Sequence, residues 1–212
     1  MLTSIPRLKV CGLTRAEDVQ HALACGADAL GFVHYAPSPR SVELVSIAEL
    51  VTPVGDSALT VLVVVDVPAT QLAAWVALTG VSSVQLCGDE TPADFEGFPV
   101  PVLRRVAVTA GGAEELQRWA GTASAFVLDH PSSAGGSGLS VDLEQAAQLV
   151  TQAPCLLAGG LDPECVAERI ARVRPLGVDA SSRLEQEPGV KHPELVRDYL
   201  QRAAAALTAN HG

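Results

Sequence analysis

The sequence has few basic residues, no closely spaced cysteine pair, no long apolar run and no apolar signal region. Its 14 Lys and Arg are outnumbered by 24 Asp and Glu, and the net charge of −10 argues against a nucleic-acid binder or a partner of anionic membranes. The five cysteines form no CxxC pair, and their odd number predicts reduced thiols rather than a disulfide framework. The apolar runs, such as residues 59–65, are too short to span a bilayer. We therefore expect a cytoplasmic protein that binds neither nucleic acid nor membranes.

Short apolar runs recur along all 212 residues, and each is followed by a polar or glycine-containing turn and then an amphipathic stretch. The runs begin near Leu8, Asp28, Leu59, Ser83, Pro101, Ser124, Pro154 and Leu176. They lack polar alternation, which is typical of parallel strands buried on both faces. Eight such units in succession predict an α/β fold, a single (β/α)8 barrel domain over residues 1–212, shorter than the ~250 residues usual for this fold. Residues 91–99 contain Pro92, Gly97 and Pro99, which predicts a reduced crossover between strands four and five.

Several segments between the strands carry signals for the start of a helix. Thr14 followed by Glu17 predicts a capping box at the first helix. Asp162 before Pro163 predicts a capped helix after strand seven.

The loops after strands seven and eight are candidates for binding phosphate. Active sites of such barrels lie at the C-terminal ends of the strands, and these two loops commonly hold phosphate. Gly159-Gly160 follows strand seven and Ser181-Ser182 follows strand eight. Glycines let backbone N–H groups approach an anion, and hydroxyl groups add donors. The alternative for the glycine pair is a tight turn without a ligand.

Other polar residues at the strand ends are candidates for chemistry, each with a structural alternative. Cys11 ends strand one, where a lone cysteine is usually a small buried apolar residue. Asp129 and Asp179 directly follow apolar runs, where a carboxylate is unusual, but either side chain could cap the next turn. Arg40 could be a solvated loop residue, and the pattern assigns no role to Lys9. The histidines show no spacing typical of a metal site.

Motifs at the strand ends follow one another in a characteristic order. They are Lys9-Val10-Cys11-Gly12-Leu13-Thr14, Gly31-Phe32-Val33, Ser38-Pro39-Arg40, Val84-Gln85-Leu86, Leu128-Asp129, Gly135-Gly136-Ser137-Gly138, Leu157-Ala158-Gly159-Gly160-Leu161, Gly177-Val178-Asp179, Ser181-Ser182 and Pro188-Gly189-Val190-Lys191. In this order and at these barrel positions, they resemble the phosphoribosylanthranilate isomerase family of tryptophan biosynthesis over essentially the whole chain.

The resemblance implies a reaction and a set of site residues. It implies an isomerase that converts N-(5-phosphoribosyl)anthranilate into 1-(2-carboxyphenylamino)-1-deoxyribulose 5-phosphate by an Amadori rearrangement, without cofactor or metal. It further implies that Cys11 is the general base and Asp129 the general acid, in a monomer or homodimer whose partner is this small phosphorylated substrate. Arg40 would hold the anthranilate carboxylate and Asp179 would lie near the amine. The substrate-binding residues that it implies are Arg40, Asp179, Gly136, Gly159, Gly160, Ser181 and Ser182.

Two positions near the site depart from the family pattern, and other functions remain open. Cys87 stands where the family usually has His, and Arg183 stands where Gly is usual.

Another phosphosugar barrel is one alternative function. Indole-glycerol-phosphate synthase would need Lys and Glu at the strand ends, and a ribulose-phosphate epimerase would need Asp and His metal ligands. A barrel that only binds an anionic metabolite or a partner is the alternative from a different class.

Overall fold

The chain folds into a closed barrel of eight parallel strands, as the computed structural model shows for residues 5–131 and 139–211. The strands are β1 (Leu8–Cys11), β2 (Ala29–Val33), β3 (Leu59–Val64), β4 (Ser83–Leu86), β5 (Val102–Ala107), β6 (Ala125–Asp129), β7 (Cys155–Leu157) and β8 (Gly177–Ala180). They follow one another around the barrel in chain order, and β8 pairs with β1 to close it. The predicted barrel is confirmed, and each strand begins within one residue of its predicted start.

Helices connect most of the strands. They are α1 (Ala16–Ala24), α2 (Leu44–Val51), α3 (Ala69–Thr79), α4 (Gly112–Arg118), α5 (Leu143–Leu149), α6 (Val166–Val173) and α7 (Pro193–His211). Between β4 and β5 the structure has one 3₁₀ turn, Pro92–Phe95, which confirms the reduced crossover. A small hairpin of β9 (Glu185–Glu187) and β10 (Val190–Lys191), absent from the sequence prediction, follows β8. Within the described residues no helix combines the length and the apolar character needed to cross a membrane.

Buried apolar residues form one cluster inside the barrel and another between the strands and the helices. Leu103, Val127 and Leu156 belong to the inner cluster, whereas Phe126 and Trp119 belong to the outer one. Neighbouring residues of a strand point to opposite faces, so a strand covered on both faces is apolar at nearly every position. This arrangement explains the continuous apolar runs. Each fully buried large apolar side chain stabilises the fold by roughly 1.5–3 kcal/mol.

The two predicted helix caps have different outcomes. The capping box is wrong: α1 begins at Ala16, and Thr14 Oγ1 instead donates a hydrogen bond to the carbonyl oxygen of Gly189 at 2.6 Å. Contact with the β9–β10 hairpin thus overrides the local signal at Thr14. The Asp162 cap is confirmed, because its Oδ1 accepts hydrogen bonds from the backbone N–H groups of Glu164 and Cys165, both at 2.9 Å. Regular α-helix begins one turn later, at Val166.

Candidate active site

A cavity of about 560 Å³ opens at the C-terminal ends of the barrel strands. Its wall contains eight of the nine residues that the sequence analysis placed in the site. They are Cys11, Arg40, Asp129, Gly159, Gly160, Asp179, Ser181 and Ser182. The ninth, Gly136, lies outside the described residues, together with the rest of 132–138. The barrel therefore brings together side chains that are up to 171 residues apart in the chain, from Cys11 to Ser182.

Cys11 shares the barrel interior with a buried ion pair. Lys9 is two residues before Cys11 on β1, so both side chains point into the barrel. Lys9 Nζ donates a hydrogen bond to Asp179 Oδ2 at 2.7 Å, and the Lys9 side chain is fully buried. Gly31 lies opposite Cys11 on β2, and a Cβ there would be 2.6 Å from the thiol sulfur, so glycine makes room for the thiol. The alternation of side chains along β1 is the sequence signal that places Lys9 on the same face as Cys11.

The charges around Cys11 act on its thiol in both directions. Burial raises the pKa of the Cys11 thiol above its usual value, the ammonium groups of Lys9 and Lys191 counteract that rise, and the Asp179 carboxylate adds to it. Burial also acts to lower the pKa of Lys9, but the Asp179 carboxylate outweighs it, so the pKa of Lys9 is raised and the group stays charged. The second oxygen of this carboxylate, Oδ1, is buried without a hydrogen-bond partner among the described residues. This oxygen can accept a hydrogen bond from a ligand.

Asp129 ends β6 at the same cavity. Its side chain is buried, and burial raises the pKa of the carboxyl group above its usual value. Oδ1 accepts a hydrogen bond from the backbone N–H of His130 at 2.8 Å, and Oδ2 lies 3.7 Å from Arg105 Nε. A carboxyl group with a raised pKa retains its proton more readily and can act as an acid.

Arg40 is held by a carboxylate that the sequence analysis did not identify. Its Nε and Nη2 donate to the two oxygens of Glu185 at 2.8 Å and 2.7 Å, which is a bidentate ion pair. Lys191 Nζ donates to Glu185 Oε1 at 2.7 Å and to the carbonyl oxygen of Ser181 at 3.1 Å. The pair uses only one edge of the guanidinium, so Nη1 remains outside it. The β9–β10 hairpin therefore orients Arg40 at the cavity.

The glycine pair after β7 has a backbone conformation that favours glycine. Gly159 and Gly160 have φ angles of 81° and 65°, in the left-handed region. Arg169 Nη1, from α6, donates to their carbonyl oxygens at 2.9 Å and 3.1 Å. The carbonyl groups of the pair are thus held by α6, and its backbone N–H groups are the donors that could bind an anion. Arg169 was not identified from the sequence.

The two departures from the family pattern both line the cavity. Cys87 is buried, and burial raises its pKa to about 12, so its thiol is neutral near pH 7. Gln85 Nε2 donates a hydrogen bond to its sulfur at 3.4 Å. Arg183 is exposed at the rim of the cavity. A neutral thiol at position 87 cannot act as a second base.

Comparisons with known proteins show which family the chain is similar to. The family model for N-(5'phosphoribosyl)anthranilate (PRA) isomerase matches residues 8–202. The chain is 38% identical to the N-(5'-phosphoribosyl)anthranilate isomerases of Syntrophomonas wolfei subsp. wolfei and Myxococcus xanthus, with alignments that cover 92% and 93% of this chain and 95% of each relative.

Solved structures give the same result. A crystal structure of phosphoribosyl anthranilate isomerase from Thermus thermophilus superposes with a TM-score of 0.86 at 31% identity and covers 94% of this chain and 98% of that one. Another isomerase of this name, solved in complex with reduced 1-(o-carboxyphenylamino)-1-deoxyribulose 5-phosphate, superposes with a TM-score of 0.84 at 25% identity, covering 95% and 100% of the two chains.

Proposed function

Because this chain belongs to the N-(5'-phosphoribosyl)anthranilate isomerase family, we propose that Cys11 is the general base and Asp129 the general acid of its reaction. The protein is an isomerase of tryptophan biosynthesis. The observation that carries the residue assignment is that Cys11 and Asp129 line one cavity at the C-terminal ends of the strands, together with Arg40.

Asp129 acts first, as the acid that opens the sugar ring. Its protonated carboxyl group gives a proton to the furanose oxygen of N-(5-phosphoribosyl)anthranilate. The bond between C1 and the ring oxygen breaks, its electron pair goes to that oxygen, and the nitrogen lone pair forms an iminium group at C1. Burial supports this role because it raises the pKa of the Asp129 carboxyl group and so favours the form that carries the proton.

Cys11 acts second, as the base that removes the proton from C2. The iminium group acidifies this proton, so a thiolate is a strong enough base to remove it. The electrons of the C–H bond form a double bond between C1 and C2, and the electrons of the double bond between C1 and nitrogen return to the nitrogen as a lone pair. The resulting enolamine tautomerises to the ketose. Lys9 and Lys191 support the thiolate electrostatically against the burial that raises its pKa. Because burial still keeps the pKa of the thiol above its usual value, the thiolate is a minor form in the free protein near neutral pH.

The substrate is anchored at both of its anionic ends. The anthranilate carboxylate pairs with Arg40, whose Nη1 lies outside the ion pair with Glu185. The amine lies near Asp179, whose Oδ1 has no hydrogen-bond partner among the described residues. The phosphate is held by backbone N–H and hydroxyl groups of the loops after β7 and β8. Backbone donors carry no net charge, so a protein with a charge of −10 can bind phosphate without a cluster of basic side chains.

The direct test is to add the purified protein to freshly prepared phosphoribosylanthranilate and to follow the loss of its fluorescence. We expect rapid loss with the unaltered protein and almost none with Asp129→Asn. A barrel that only binds an anion would leave the fluorescence decay at its uncatalysed rate, and that result would contradict the proposal.

A further inference from the structure

Arg105 of β5 points into the barrel, close to the cavity. Leu103 belongs to the cluster inside the barrel, and Val106 belongs to the outer cluster. Arg104 packs outside, with its guanidinium carbon 5.0 Å from the centre of the Trp119 ring. Side chains alternate along a strand, so Arg105 faces the interior with Leu103. A charged residue at an interior position requires an explanation in terms of its partners.

Two contacts of Arg105 are with the end of β6. Its Nη2 donates a hydrogen bond to the carbonyl oxygen of His130 at 2.6 Å, and its Nε lies 3.7 Å from Asp129 Oδ2. This Nε is buried and has no hydrogen-bond partner among the described residues. The other carboxylate oxygen, Oδ1, already accepts the backbone N–H of His130. Nη2 of Arg105 is thus held by a backbone carbonyl oxygen, while Nε has no hydrogen-bond partner among the described residues and lies beside Asp129 Oδ2.

We propose that Arg105 is a positioning residue for Asp129, which holds Oδ2 of that side chain beside its guanidinium and stabilises the carboxylate that remains after the proton has been transferred. The inference rests on the proposed role of Asp129 as the acid. In that step the O–H bond of the carboxyl group breaks, the proton moves to the ring oxygen of the substrate, and the electron pair stays on Asp129. The new negative charge faces the guanidinium, and a shift of less than 1 Å would bring Nε into hydrogen-bond range.

Other titratable groups also lie near Asp129. Those that line the cavity or lie beside it are Lys9 and Cys11 of β1, Cys87 of β4, His130 after β6 and Asp179 of β8. Lys9 is paired with Asp179, and the thiol of Cys87 is neutral. Among the described residues, the ion pair of Asp129 is with Arg105.

The proposal is tested by the pKa of Asp129 itself, measured by NMR on protein labelled with ¹³C at the aspartate carboxyl groups. The Asp129 signal is assigned by its absence from Asp129→Asn. An opposite charge at this distance lowers the pKa of a carboxyl group by about one to three pH units, so Arg105→Gln should raise it by that amount. Arg105→Met is a second neutral variant of similar length, should the first not fold. Arg105→Lys should keep most of the effect.

Arg118→Gln is the matched control, because this arginine is exposed and pairs with Glu115. It should leave the Asp129 signal unchanged. A pKa of Asp129 that is the same in the unaltered protein and in both neutral variants would overturn the proposal.

The role of Asp129 as the acid is judged by a separate experiment. Full turnover by Asp129→Asn would overturn that role, whatever effect Arg105 has on the pKa of Asp129. In the pH profile of kcat/KM, the break that belongs to Asp129 should move upward in Arg105→Gln by the amount measured by NMR, a change that a purely structural role would not produce.

Discussion

Replacing Glu185 with glutamine should destabilise the protein much more than the same change at Glu187, two residues later on β9. The Glu185 side chain is only 4% exposed, and its carboxylate accepts three charge-assisted hydrogen bonds, two from Arg40 and one from Lys191. Lys191 is 1% exposed and Arg40 12%, so neither cation can be fully hydrated in place of this contact. Glutamine keeps the shape of the side chain but removes its charge. Two partly desolvated cations would then face each other without a carboxylate between them.

The expected loss follows from the burial of this cluster. Removing one partner of a buried ion pair costs about 3–5 kcal/mol, and the lower end applies because the glutamine oxygen still accepts one hydrogen bond. For a chain of this size, each kcal/mol corresponds to a change of about 2–4 °C in Tm. We therefore expect Glu185→Gln to lose about 3 kcal/mol and to melt about 6–12 °C lower near pH 7.

The loss should depend on pH in a defined direction. Burial acts to raise the pKa of Glu185, but Arg40 and Lys191 outweigh it, so the folded pKa lies below the usual 4.5. The carboxylate therefore contributes its stability fully above about pH 4.5 and loses it as the pH falls through the folded pKa. The difference between the unaltered protein and Glu185→Gln should be constant near neutral pH and should shrink below pH 4.5.

Urea unfolding and thermal melting at several pH values measure both effects. The matched control is Glu187→Gln, because Glu187 is exposed on the same strand. This replacement should change the free energy of unfolding by no more than about 0.5 kcal/mol. If Glu185→Gln were as stable as Glu187→Gln near pH 7, the ion-pair cluster would not stabilise the fold. A difference that grew at acidic pH would refute the sign of the argument.

The remaining predictions concern the reaction. Cys11→Ser and Asp129→Asn should each lower kcat by at least ~10²-fold with little change in KM, and near-normal turnover would refute the role of that residue. Arg40→Ala should weaken substrate binding by about 1.5–3 kcal/mol. An analogue without the carboxylate should bind that variant and the unaltered protein equally well. Gly159→Val should raise KM and weaken competition by inorganic phosphate, because a Cβ there would lie 3.0 Å from the carbonyl oxygen of Leu139 and close off the backbone. Equal inhibition by phosphate in both proteins would place the anion site elsewhere.

The barrel could be predicted because its signal is local and repeated. Eight apolar runs with helix-forming segments between them are sufficient to predict parallel strands covered on both faces. The short 3₁₀ turn at Pro92–Phe95 was predictable for the same kind of reason, since proline and glycine limit a helix wherever they occur. Thr14 shows the limit of such signals. Its capping pattern is local, but its hydroxyl group bonds to Gly189, a residue 175 positions away.

The positions at the strand ends, together with the family resemblance, also identified most of the candidate site. Cys11, Asp129 and Arg40 stand directly after or near the ends of apolar runs, and the barrel rule brings such residues to one face. The partners of these residues could not be identified in this way. Lys9 pairs with Asp179 across 170 residues and Arg40 pairs with Glu185 across 145.

Strand periodicity gives the side on which a residue lies, but not the residue that it meets there. Arg105 illustrates the difference, because its interior position follows from alternation along β5, whereas its distance from Asp129 depends on how β5 and β6 are aligned. An ion pair between distant segments leaves no pattern in either one, since each side chain alone resembles an ordinary surface charge. Closure of the barrel brings the segments together and removes the water between them, and burial then makes these pairs strong and shifts their pKa values.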